Sequence, residues 1–177
     1  MRWGIAVATH GAPAFQSGFQ GWRLALISNQ SGIGRGLITP RQAEAVHRRT
    51  LALLTDRGIT IAATRYCPHA PWEGCACRKP SPAMIQDAAA AMGADPARSV
   101  MIGDKPSDAE AGRRAGATGI VLGVEAARPP GTLRATTWAE VPERVGLGEV
   151  VEGLPLEGED AAIEVEEERT VFEEACS

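Results

Sequence analysis

Cys67-Pro-His69, then five residues, then Cys75-Ala-Cys77 gather three of the chain's four cysteines and one of its three histidines into eleven positions. Thiolate and imidazole are ligands that zinc prefers, and two short ligand pairs closed by a loop can wrap a tetrahedral ion. Buried thiols or a disulfide would be the plainer reading. Cys75 and Cys77 are poorly placed to bridge each other, however, and a reducing compartment disfavours any bridge. Zinc is therefore the expectation. Four protein ligands leave no open position for water, so the metal should be structural and pin a loop, with Cys176 outside the set.

Three further segments carry groups suited to phosphate. Ser28-Asn29-Gln-Ser-Gly-Ile-Gly-Arg-Gly36 puts a hydroxyl and a run of backbone N–H donors directly after an apolar stretch, as a phosphate-binding turn would, although an ordinary glycine-rich connection looks similar. Arg78-Lys79-Pro80 follows the last loop cysteine at once. Lysine neutralises a phosphate as a point charge and arginine forks onto it; two cations are often plain surface, but a metal-pinned loop would hold these in place. Gly103-Asp-Lys-Pro-Ser-Asp108 offers Asp104 as a hard oxygen ligand for magnesium, with Asp108 ordering a metal-bound water or holding Lys105. The same segment also reads as a helix cap, Ser107 with Glu110 as its partner.

The elements that must position these groups alternate. Leu24 to Ser28 reads as a buried strand. Thr39-Pro40 opens a helix with Gln42 as capping-box partner; Ala43, Val46, Thr50, Leu53 and Leu54 form its apolar stripe, and Gly58 stops it. Strands follow at Ile59 to Tyr66, Ser99 to Gly103 and Thr118 to Leu122, with helices from Ser81-Pro82 to Met92 and from Ser107 to about Gly116, and a short helix is expected over Trp138 to Val145. Such alternation predicts an α/β fold: a Rossmann-like parallel sheet with helices on both faces and right-handed crossovers. Ligands of such sheets bind at the carboxyl ends of the strands, where Ser28, Cys67 and Asp104 all fall.

Charge sets further bounds. The 177 residues carry a net charge of −4, which argues against nucleic-acid or membrane-surface partners. No apolar run approaches a bilayer span, and Trp3 to Ala8 is too brief for a signal peptide, so a cytoplasmic location is the default expectation. Four arginines precede the first carboxylate, Glu44, whereas Glu149 to Glu174 is densely acidic. The expected organisation is a leader over 1–20, a core over 21–148 containing the metal loop 67–77, and an acidic tail over 149–177.

Taken in this order, the motifs Ser-Asn-Gln-Ser-Gly-Ile-Gly-Arg-Gly, Cys-Arg-Lys-Pro and Gly-Asp-Lys-x-x-Asp resemble the haloacid-dehalogenase (HAD) superfamily of phosphatases. The branch resembled is the zinc-loop one, which includes heptose 1,7-bisphosphate 7-phosphatases and histidinol-phosphate phosphatase domains, and the motifs are nearer to the former. The resemblance covers roughly Gly21 to Gly123. It implies that Ser28 and Asn29 hydrogen-bond the transferring phosphoryl group, that Lys79 bridges phosphate and nucleophile, and that Arg78 recognises a second substrate anion. It further implies magnesium on Asp104, supported by Lys105 and Asp108, and structural zinc on Cys67, His69, Cys75 and Cys77. The implied reaction is magnesium-dependent hydrolysis of a phosphorylated sugar through an aspartyl-phosphate, a second aspartate acting as acid and base.

One part of that pattern is missing. The family opens with a strand ending in Asp-x-Asp-Gly-Thr, and no aspartate precedes Asp56 here. In the nearest echo, Ala6 to Ala12, Ala8 and His10 stand where the two aspartates would be. No nucleophile is identifiable, so the first βα unit is expected to be truncated or replaced, leaving a sheet short of its central strand or patched by Ile5 to Thr9. Three origins fit: a start or frame error, a non-catalytic module keeping zinc and binding a phosphorylated ligand or partner, or an aspartate supplied by another chain. As written, the polypeptide should be nearly inert, since losing a nucleophile typically costs on the order of a million-fold.

Overall fold

The computed structural model describes residues 22–123 and 127–145. The expected leader, with Ile5 to Thr9, and the acidic tail lie outside the described residues. In chain order the elements are β1 (Leu24–Asn29), α1 (Ser31–Gly34), α2 (Pro40–Thr55), β2 (Ile61–Cys67), α3 (Ala83–Met92), a 3-10 turn (Pro96–Arg98), β3 (Val100–Gly103), α4 (Pro106–Arg114), β4 (Thr118–Leu122), β5 (Leu133–Ala135), a second 3-10 turn (Trp138–Glu140) and α5 (Val141–Arg144). No helix among them is long and apolar enough to cross a membrane.

All described pairings are parallel. β1 runs beside β2 with Ser28 opposite Tyr66 and Asn29 opposite Cys67. β4 lies between β3 and β5. Among the described residues β1 and β3 do not share a ladder, so the sheet is in two pieces. Packing shows that the pieces form one layer. Ala25 and Ile27 of β1 and Met101 of β3 enter one cluster with Met84, Ile85, Ala88 and Met92 of α3 and Ala111 of α4. Leu24 of β1 and Val100 and Ile102 of β3 enter a second cluster with Ile120, Ala135 and Val141, with Leu54 of α2 packed against it. Successive strand residues face opposite sides, so the two clusters are the two faces of one sheet, each with its own helices. Full burial of side chains such as Ile85 and Ile102 contributes about 1.5–3 kcal/mol each, which favours this two-sided arrangement.

Local chemistry explains the boundaries. Gln42 N donates to Thr39 Oγ1 (3.2 Å) and Thr39 N to Gln42 Oε1 (2.8 Å), the capping box that starts α2 ahead of Pro40. Gly93 ends α3 at φ 59°, a left-handed conformation open to glycine at little cost. Three expectations are corrected, and one strand, β5, is additional. α4 begins at Pro106 with Lys105 as its cap residue, Lys105 N donating to Asp108 rather than Ser107 pairing with Glu110. The glycine-rich segment after β1 contains a helical turn, α1. β5 has only three residues, too few to show a period. Finally, α2 buries Ala43, Glu44 and His47 and leaves Val46 and Leu53 exposed, because its inner face is partly polar.

Candidate phosphate cradle and metal loop

Lys79 joins the two pieces of the sheet. Its Nζ donates to the Ile27 carbonyl near the end of β1 (2.8 Å) and pairs with Asp108 Oδ1 in the first turn of α4 (2.8 Å). Both residues are buried, 5% and 3% exposed. Asp108 Oδ2 accepts from Lys105 N (3.2 Å), so this carboxylate fixes the loop between β3 and α4 as well as the ammonium. Asn29 clasps the lysine backbone from the other side: Lys79 N donates to Asn29 Oδ1 (3.1 Å) and Asn29 Nδ2 to Lys79 O (3.3 Å). Gln30 Nε2 donates to Ser28 Oγ (3.1 Å), orienting the hydroxyl.

Ser28, Asn29, Lys79 and Asp108 thus meet at the carboxyl edge, and Asp104 is exposed immediately after β3 on that edge. Lys105 is exposed beside it and joins through its backbone. Arg78 turns the other way, its Nη1 donating to His69 O (3.3 Å), which braces the cysteine loop. Asp104 is exposed at this edge, and magnesium, which accepts one or two carboxylates with waters and substrate phosphate, could be held there only in part by protein.

The cysteine loop brings its four expected ligands together. One ligand atom each from Cys67, His69, Cys75 and Cys77 lie within 4.8 Å of one another. Cys67 Sγ is 3.5 Å from Cys75 Sγ and 3.7 Å from His69 Nδ1; Cys77 Sγ is 3.7 Å from Cys75 Sγ and 3.4 Å from His69 Nδ1. A tetrahedron with bonds of about 2.3 Å to sulfur and about 2.0–2.1 Å to nitrogen has edges of about 3.8 and 3.5 Å, so the donor set fits zinc. Burial pushes the Cys67 thiol up to about 11. Cys67 and Cys75 are free thiols.

The loop is packed onto the cradle through Gly34, whose N–H donates to Pro68 O (2.8 Å). A Cβ there would lie 2.5 Å from Ala70 N and 2.9 Å from Pro68 O, so the approach requires glycine. Glu73 Oε1 accepts from Ala70 N (2.9 Å) and closes the loop internally.

Behind β2 lies a group that sequence reasoning missed. The Tyr66 hydroxyl bonds His47 Nδ1 with the rings edge-on at 4.9 Å, and Glu44 is buried one helical turn away. Burial lowers the His47 pKa, Glu44 partly opposing it; burial and then Glu44 raise that of Tyr66. The Tyr66 hydroxyl therefore keeps its proton and shares a hydrogen bond with a neutral imidazole, the tautomer deciding which of the two donates. Glu44 and His47 three apart on an otherwise buried helix face were the available signal.

The comparisons with known proteins bear on the family and the fold. The HAD-hydrolase-like family model matches residues 76–144. The D-glycero-beta-D-manno-heptose-1,7-bisphosphate 7-phosphatase of Rhodopseudomonas palustris is 38% identical over 129 residues, 68% of this chain and 69% of that protein. The enzyme of the same name from Pseudomonas aeruginosa is 40% identical over 93 residues, 52% of each chain. The chain spans about half the length of the first curated relatives it matches. Among solved structures, the D,D-heptose 1,7-bisphosphate phosphatase of B. bronchiseptica complexed with magnesium and phosphate superposes with a TM-score of 0.69 at 27% identity, covering 82% of this chain and 98% of that one. A putative HAD-like phosphatase from Mesorhizobium loti gives 0.66 at 26%, covering 81% and 84%. With a relative matched at 38% identity across more than two thirds of its length, and with this site at the carboxyl edge of a parallel sheet, the chain belongs to the HAD superfamily of phosphatases, in the branch of the heptose 1,7-bisphosphate 7-phosphatases.

Proposed function

We propose that this chain binds a phosphorylated sugar of the heptose 1,7-bisphosphate kind in the Ser28–Lys79–Asp104 cradle and, as it stands, holds that ester without efficient hydrolysis. The observation that carries the reading is the Lys79 ammonium lodged between the Ile27 carbonyl and Asp108, at the point where the strands of Ser28 and Asp104 end. A fixed positive charge near the end of β1, where the Ser28 hydroxyl can also donate, suits the oxygens of a phosphate monoester. Magnesium, held by Asp104 together with substrate oxygens and waters, would neutralise phosphate charge. Asn29 and Gln30 set the positions of Lys79 and the Ser28 hydroxyl. Lys105 and the zinc loop, which Arg78 braces, would frame the sugar.

Hydrolysis in the family proceeds through an aspartate, and no aspartate precedes Asp56 in this chain. Phosphate-monoester hydrolysis has one of the highest uncatalysed barriers, so a cradle without an attacking group leaves most of it in place. The resulting function is ligand binding, with turnover restored only when an aspartate is supplied at the cradle.

The test is to titrate the purified chain with heptose 1,7-bisphosphate and magnesium while following phosphate release. Saturable binding that Asp104→Ala weakens, with release at the buffer rate, is the expected result. Rapid release that persists in Asp104→Ala would mean a different chemistry. A failure to bind at all would remove the cradle reading.

A further inference from the structure

Charge is divided unevenly along the chain. Residues 149–177 carry eleven carboxylates and one arginine, a net −10, so residues 1–148 are net +6. Part of that positive charge stands on the outer side of α2. Arg41 and Arg57 are exposed and Arg49 partly so, and none of the three makes an ion pair among the described residues. Arg57 Nη1 donates to Leu53 O (3.0 Å), a neutral partner. Of the two carboxylates in this stretch, Glu44 is buried on the inner side and Asp56 is exposed just past the helix. Val46 and Leu53 lie seven residues apart with Arg49 between them, a spacing that puts all three on one helix face. Val46 is 68% exposed, and Leu37, just ahead of the helix, 67%. The outcome is an exposed stripe in which apolar and cationic side chains alternate.

We propose that this stripe docks the acidic segment 149–174 of the same chain. The two are complementary in charge, and Leu154, Leu156, Ile163 and Phe172 are interspersed among the carboxylates to meet Leu37, Val46 and Leu53. The path of the chain agrees. Val145, where the described residues end, and Leu54 of α2 pack against the same cluster, so the chain departs from the face of the sheet that α2 covers. At about 3.3 Å per extended residue, the 29 residues from Val145 to Glu174 reach about 95 Å at most. The 16 residues of α2 span only about 24 Å. Tethering also raises the effective concentration toward the millimolar range, which favours this segment over a free polyanion of similar charge. The contact does not depend on the function proposed above.

Limited proteolysis of the full chain by thermolysin tests this, because that protease cuts at apolar residues and keeps its sites when charges are changed. The expected result is that Arg41→Glu with Arg49→Glu speeds cleavage within 149–174 about tenfold, the size of two exposed ion pairs turned into repulsions. Adding Glu164→Lys, Glu166→Lys, Glu167→Lys and Glu168→Lys to that variant should restore the slow rate, which a misfolded α2 could not do. Arg113→Glu with Arg114→Glu, on α4 across the sheet, should leave the rate at the parent value. Equal rates in the parent and the α2 variant would overturn the proposal. So would equal acceleration by the α4 pair, since the segment would then be drawn to the positive charge as a whole. Protection that fades on dilution would also overturn it, assigning the segment to the α2 of a second copy.

Discussion

Lys79 Nζ and Asp108 Oδ1 meet 2.8 Å apart, with 3% and 4% of their side chains exposed, and the same ammonium donates to the Ile27 carbonyl. One buried contact thus ties the loop after the cysteines to β1 and to the start of α4. Those segments belong to pieces of the sheet that share no ladder among the described residues.

Breaking such a pair leaves a buried charge without a partner, which costs about 3–5 kcal/mol, whereas replacing both members by apolar groups is often neutral. Lys79→Met and Asp108→Leu should each lower the unfolding free energy by about that amount in urea titrations. The double variant should recover most of the loss. Costs that simply add would show that the two side chains do not act as a pair.

Metal should bind with the stoichiometry of the four-ligand cluster. Reduced protein should carry about one zinc per chain and Cys75→Ser essentially none by elemental analysis, since a structural tetrahedral site needs all four ligands. A full equivalent in Cys75→Ser would rule out the cluster as the site.

The glycines of the loop after β1 separate two physical effects. A methyl group on Gly34 would collide with the backbone of Pro68 and Ala70, whereas Gly36 has open space around its α-carbon and only a positive φ of 68°. Gly34→Ala should cost about 1–3 kcal/mol by overpacking and also loosen zinc, since the collision is with the metal loop. Gly36→Ala should cost about 1–2 kcal/mol of backbone strain and leave zinc affinity unchanged. Equal zinc affinities for the two variants would show that the loops are not mechanically coupled.

Much of this was legible in the sequence, for identifiable reasons. The capping box Thr39–Gln42, the terminating Gly93 and the apolar run Val100 to Ile102 are local signals, and the structure places α2, α3 and β3 accordingly. The Cys67–Cys77 cluster was legible because its four ligands lie within one loop. The Lys79–Asp108 pair was not, since the two residues lie 29 positions apart and nothing local marks them as partners. The polar face of α2 was misjudged because Glu44 and His47 are normally read as solvent-facing, and only Tyr66 on β2 gives them a reason to be buried.

That polar face makes stability depend on pH. Burial holds the His47 pKa below its ordinary value of 6.5, so at mildly acidic pH the unfolded chain binds a proton that the folded chain resists. With more protons on the unfolded state, unfolding free energy rises with pH. The contribution of His47 is therefore fully present above about pH 6.5 and is lost as pH falls from there toward the lowered folded value, at no more than about 1.4 kcal/mol per pH unit. Glu44 beside it limits the loss by favouring the charged imidazole, so Glu44→Gln should steepen the dependence. Urea titrations at pH 7.5 and pH 5.5 should show a drop for the parent chain, a larger drop for Glu44→Gln and a smaller one for His47→Gln, which keeps an acceptor for the Tyr66 hydroxyl. An unaltered pH dependence in His47→Gln would show that other groups, and not this buried imidazole, set the acid sensitivity.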